Sequence, residues 1–131
     1  MARVTGIGGV FLKAQKPDLL ASWYQKHLGM TPAPYGGIDF EWREKDSPET
    51  LGKTVWCIFP ANTEYFGPGP QQSMVNYRVD DLDGLLRKLE DAGVEVDLHR
   101  EEGEYGRFAW IIDPEGNRVE LWEPPSPTTK P

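Results

Sequence analysis

The chain of 131 residues carries a single cysteine, Cys57, and only two histidines, His27 and His99. One thiol excludes an intramolecular disulfide framework and a zinc site built from cysteines alone. A reducing cytoplasm is the expected setting. Cys57 lies in the run V-W-C-I-F, where a small buried residue is the plain reading. Basic residues are also short, 14 Lys and Arg against 21 Asp and Glu, for a net charge of −7. Displacing counterions from a nucleic acid needs a basic footprint, so nucleic acid is not an expected partner. No apolar run approaches the roughly 20 residues of a membrane span. The residues after Met1 lack the apolar stretch of a signal peptide, so no membrane partner is expected either.

What is plentiful is punctuation. Fourteen glycines and twelve prolines predict short elements joined by turns, and the length suits one domain. Residues 6–14, G-I-G-G-V-F-L-K-A, read as a strand whose glycines allow close approach. Lys16-Pro17-Asp18 turns the chain, with Asp18 as expected N-cap. A helix follows with Leu20, Trp23, Tyr24 and Leu28 as its apolar stripe and Gly29 as its stop. His27, in the last turn, complements the helix dipole. Ile38, Phe40 and Trp42 alternate with Asp39, Glu41 and Arg43 in a strand, and residues 55–59 form another. After the Pro- and Gly-rich link at 62–73, residues 74–79 read as a strand. Asp80 and Asp81 cap a helix carrying Leu82, Leu85, Leu86 and Leu89, which ends at Gly93. Residues 94–98 form a strand that leads to a charged loop with His99 exposed. Asp113-Pro114-Glu115-Gly116-Asn117 then separates two aromatic-rich runs, which predicts a hairpin. Residues 125–131 read as a polar tail.

The order strand, helix, strands therefore occurs twice. Leu28-Gly29 and Ala92-Gly93 close the helices 64 residues apart, and V-W-C-I-F-P at 55–60 overlies V-E-L-W-E-P at 119–124 at the same offset. Module one spans about 4–61 and module two about 74–124, each too small to bury a core alone.

With S-W-Y-Q-K-H-L-G-M, V-D-D-L-D and the terminal D-P-E-G-N-R-V-E-L-W-E-P, this arrangement resembles the vicinal oxygen chelate superfamily. That group includes glyoxalase I, extradiol dioxygenases, methylmalonyl-CoA epimerase and bleomycin-resistance proteins. The resemblance covers about 4–124 and implies an α+β fold. Two tandem βαβββ modules would form a curved eight-stranded mixed sheet around a cavity, with helices on the outer face and a homodimer as the common assembly. In its metal-dependent members, two ligands from each half line the cavity. Here those four positions fall on Gly9, Trp56, Met74 and Glu120. Glycine has no side chain, indole is no ligand, and a thioether suits soft ions. No metal and no other cofactor is therefore expected.

With Glu120 facing inward, period-two alternation adds Trp122, then Met74, Asn76 and Arg78 on the middle strand, and Gly9, Phe11 and Lys13 on the first. Trp56 and Ile58 join through the internal repeat, while Val10, Leu12, Val75, Tyr77, Val119 and Leu121 take the helix-covered face. Aromatic walls with sparse polar groups suit a small molecule. Gly9 would leave room for it, and Arg78 or Lys13 would pair an anionic group. For Glu120 three readings stay open: a buried general base, an ion pair with Arg78 or Lys13, or an exposed remnant at the cleft mouth. For the protein there are also three. The first is a metal-free binder of a small, partly aromatic molecule. The second is a lyase, isomerase or dioxygenase using Glu120 as acid–base or in an atypical metal site. The third is a partner-binding domain whose cavity is filled by Trp56, Trp122 and Met74.

Overall fold

The structure, a computed structural model, describes residues 2–125, so most of the tail at 125–131 lies outside the described residues. Seven strands and two helices make an α+β chain in the order β1 (Val4–Ala14), α1 (Pro17–Leu28), β2 (Ile38–Arg43), β3 (Leu51–Pro60), β4 (Ser73–Val79), α2 (Leu82–Asp91), β5 (Glu95–Gly103), β6 (Gly106–Ile112), β7 (Arg118–Glu123). The strand count among the described residues is seven rather than eight. Module two is βαβββ, but module one is βαββ, because the segment between α1 and β2 contains Pro32 and Pro34. Proline has no N–H to give a ladder. That segment instead closes a turn, with Gly36 N donating to Ala33 O and Ala33 N to Gly37 O, both at 2.8 Å. The chain divides into two compact units, Ile7–Val75 and a second that joins the residues before 7 to those after 75.

In the first unit the strand order is β2-β3-β1. β1 and β3 run parallel with Gly9 beside Val55 and Val10 beside Trp56. β2 and β3 are antiparallel with Ile38 beside Trp56. The cap of α1 differs from the expectation. Lys16 is the N-cap residue and no side chain caps the helix, while Pro17 occupies the first turn and places Asp18 inside it. Gly29 ends the helix in the left-handed conformation (φ 69°), as its position predicts. The stripe is narrower than expected. Leu20 and Tyr24 are half-buried, but Trp23 and Leu28 are 50% and 59% exposed, and no residue of α1 is fully buried. Residues 62–72 hold no strand, yet Phe66 within them is completely buried.

In the second unit the order is β4-β7-β6-β5, with β4 and β7 parallel and the other pairs antiparallel. Asp81 caps α2 by accepting from Gly84 N at 3.1 Å, and Glu123 Oε1 accepts from Leu82 N at 2.8 Å. Leu82, Leu85 and Leu86 are buried against Val79, Ala109 and Leu121, with Tyr77, Leu89 and Val119 packed around them. The hairpin forms as its turn chemistry dictates. Asp113 Oδ1 accepts from Glu115 N and Asn117 N, both at 2.9 Å, and Gly116 takes φ 87°. That turn sets Ile112 beside Arg118 and Trp110 beside Glu120.

Candidate functional site

Because Val119 and Leu121 join the core beneath α2, the side chains between and beyond them point to the other face of the sheet. Register brings Asn76 beside Glu120 and Arg78 beside Trp122 from β4. It brings Trp110 and Phe108 to the same two residues from β6. Glu120 is 1% exposed and Asn76 3%. Asn76 Nδ2 donates to Glu120 Oε1 at 2.7 Å, a hydrogen bond to a carboxylate held out of water. Asn76 Oδ1 is buried without a protein partner among the described residues. Burial removes the reading of Glu120 as an exposed remnant.

Trp110, itself 1% exposed, forms the wall next to this pair. The His99 imidazole stacks on its ring at 5.3 Å with planes 22° apart, and the Arg118 guanidinium also lies 5.3 Å from the ring centre. Arg118 is held in turn by Asp97 at 2.7 Å. The Asp97 carboxyl is drawn below its ordinary range by the backbone N–H of His99 and then by Arg118. His99 Nε2 lies 2.9 Å from Glu101 Oε2 on the exposed rim. Trp122 stacks on Phe108 at 6.3 Å and donates Nε1–H to Tyr105 O at 2.7 Å. Arg78 donates to Thr5 Oγ1 at 2.7 Å.

Trp110 and His99 are the residues the sequence reading missed. The signal for Trp110 was present, since a hairpin closed between Asp113 and Asn117 puts residue 110 across from residue 120. His99 had none, because a register shift between Val96 and Arg100 sets its direction.

The first unit differs from expectation on two counts. In a parallel pair, registered neighbours share a face, so Trp56 and Ile58 lie with Val10 and Leu12, opposite Gly9, Phe11 and Lys13. The repeat offset of 64 is one residue out at β3, and a slip of one moves every side chain to the other side. Trp56 packs against Tyr24 of α1 at 4.8 Å instead. Gly9 is the second. A Cβ there would meet the Phe11 ring at 2.8 Å, so the missing side chain accommodates Phe11 and leaves no opening at that point. Phe11 is buried and meets Phe59 edge-on at 5.5 Å; Phe59 touches Phe66 at 5.3 Å, and Lys13 Nζ lies 5.3 Å over the Phe66 ring. Aromatic side chains fill this face, but they are Phe11, Phe59 and Phe66, with Trp56 turned to the opposite side. Met74, on β4, is 1% exposed.

The glyoxalase-like domain family model matches residues 9–122. The chain belongs to that family. Methylmalonyl-CoA epimerase from Mycobacterium tuberculosis is 25% identical, with 93% of this chain and 89% of that one covered at a TM-score of 0.56. Streptomyces coelicolor methylmalonyl-CoA epimerase in complex with 2-nitronate-propionyl-CoA is 15% identical, covering 95% of this chain and 100% of the other at 0.66. The Mn(II)-bound glyoxalase from Novosphingobium aromaticivorans is 16% identical, covering 94% of this chain and 40% of the other at 0.58. The last two share the fold alone. No curated protein matches in sequence. Both epimerase and glyoxalase are vicinal oxygen chelate proteins, so the glyoxalase-like chain has the fold its motifs imply.

A divalent ion of the kind that superfamily uses does not fit the donors here. Gly9 has no donor, and neither Trp56 nor Val55, the residue that register sets beside Gly9, supplies one. Met74 offers only a soft sulfur. The Glu120 carboxylate is already bonded to the Asn76 amide. Among the described residues no group of three or more His, Cys, Asp and Glu is arranged to hold a metal. No helix there is long and apolar enough to cross a membrane.

Proposed function

We propose that this glyoxalase-like protein binds a small, partly aromatic molecule without a metal, on the face of the second unit opposite α2. The observation that carries the reading is the buried Asn76–Glu120 pair beside Trp110. A carboxylate is rarely kept at 1% exposure without a purpose that offsets its desolvation. Trp110, Phe108 and Trp122 supply aromatic surface around it, and Arg78 a cationic group. Ligands of this kind should raise the melting temperature and quench tryptophan fluorescence, and Asn76→Leu should abolish both effects. Failure of a broad metabolite and drug library to give either signal counts against binding. Elemental analysis of protein purified without chelator tests the metal-free part, which a stoichiometric transition metal overturns.

The burial of Glu120 also favours a second reading, in which its carboxylate moves a proton on the bound molecule as general acid–base. Asn76 would then be the positioning residue that aims Oε1. Once a turnover is found, Glu120→Gln separates the readings: a binding protein keeps its affinity, whereas an enzyme loses its rate. A homodimer is part of the proposal. Leu19, Trp23 and Leu28 on α1 are 64%, 50% and 59% exposed, and a second copy would cover them. Sedimentation of wild type against Trp23→Glu tests it.

A further inference from the structure

Trp56 and Ile58, displaced from the Gly9 face by the β1–β3 register, line a recess of about 230 Å³ on the α1 side of the first unit. Its other walls come from α1, from the proline-containing segment that follows it and from the start of β2, including Asp18, Ala21, Met30 and Ile38. The volume lies below the roughly 300 Å³ at which drug-sized sites begin, so the occupant is compact. Its surroundings have a definite sign. Asp18 is the one charged side chain of the lining, and no Lys, Arg or His contributes to it. Lys16 and Trp23 line a separate groove on another side of the same helix. Pro17 and Pro32 both border the recess and neither has an N–H to offer an anion. The N-terminus of α1 contributes about half a positive charge, less than the one negative charge that Asp18 brings to the lining. Trp56 is half-buried, meets Tyr24 edge-on at 65°, and is among the residues that border the recess. An aromatic surface beside a carboxylate is the arrangement that holds an organic cation.

We propose that this recess is a second small-molecule site, taking an organic ammonium with a compact apolar body. The ammonium pairs with Asp18 and the body packs on Trp56, Met30, Ile38 and Ile58. The site uses none of the residues of the Glu120 face, so it stands or falls independently of the function proposed above.

Benzyltrimethylammonium, benzoate and benzyl alcohol share one aromatic body and differ in charge, and they are the probes. The protein is labelled with 5-fluorotryptophan, and Trp56→Phe identifies the Trp56 resonance among the five. Benzyltrimethylammonium should shift that resonance saturably, benzoate should not, and benzyl alcohol should bind at least tenfold more weakly. Asp18→Asn, a conservative change at an exposed position, should weaken the cation at least tenfold while leaving the circular dichroism and the weak alcohol binding unchanged. Should Trp56→Phe fail to fold, Ile58→Val supplies the assignment through a local perturbation. The proposal is overturned if benzoate binds as well as the cation, if Asp18→Asn leaves cation affinity intact, or if the Trp56 resonance stays still at millimolar benzyltrimethylammonium.

Discussion

The two halves bury opposite sides of similar strands. In the second, α2 commits Leu82, Leu85 and Leu86 to a core with Leu121 and Ala109, and the other face keeps a buried Asn76–Glu120 pair. In the first, α1 buries no residue fully, and the face away from it is filled by Phe11, Phe59 and Phe66. Duplicated topology has thus not preserved duplicated roles. The half that packs its helix tightly keeps polar groups on its free face. The half that packs its free face with aromatics leaves a recess beneath its helix. Burial needs one well-packed side per sheet, and each half meets that need differently.

The largest expected difference tests the helices directly. Leu86→Ala, on the buried face of α2, should cost about 3 kcal/mol, while Leu20→Ala at a half-buried position of α1 should cost about 1 kcal/mol. Denaturant titration measures both, and equal losses would break the contrast. Next comes the packed face of the first half. Gly9→Ala should destabilise by about 1–3 kcal/mol, because the Phe11 ring at 2.8 Å must move. Phe11→Leu in the same chain should recover part of that loss, and a double-mutant cycle gives the coupling. Additive effects would mean that Phe11 does not use the space at Gly9.

Helix caps sharpen the comparison on a smaller scale. Asp81→Ala removes the acceptor for Gly84 N and should cost about 1 kcal/mol. Lys16→Ser installs a cap where α1 has no side-chain cap bond and should gain about 0.5 kcal/mol. The smallest effect is electrostatic. Hydrogen bonds from Arg107 and then Arg100 draw the Asp83 carboxyl down to about 2. The folded value lies below the unfolded one near 3.9. Its stabilisation is therefore complete above pH of about 4 and fades as pH falls towards about 2. With the Asp83 side chain 47% exposed, solvent screening limits the contribution to less than about 1 kcal/mol. Asp83→Asn should flatten that part of the acid limb in thermal melts run from pH 5 to pH 2.

Legibility in the sequence followed the range of the interaction concerned. Asp113–Asn117 chooses its turn from its own side chains, and that turn carries Trp110 to Glu120 with no help from elsewhere. The leucine spacing of α2 and the left-handed stops at Gly29 and Gly93 are equally local. Family membership, which rests on such short motifs, was legible for the same reason. The strand missing from the first module was expected and did not form, although Pro32 and Pro34 interrupt the segment in question.

What needed the folded chain was every feature set by distant pairing. Nothing local tells Gly9 to lie beside Val55 rather than Trp56, because a parallel pair joined through a helix has no turn to fix its register. That single residue of slip carried Trp56 and Ile58 away from Gly9 and into the recess under α1. The ring of Phe11 over Gly9 and the burial of Glu120 against Asn76 are likewise matters of packing, decided when strands far apart in sequence come together. Short-range chemistry is enough to specify turns, caps and apolar faces. Which face of a strand receives a ligand depends on long-range register, and in the first half that register was invisible until the strands had paired.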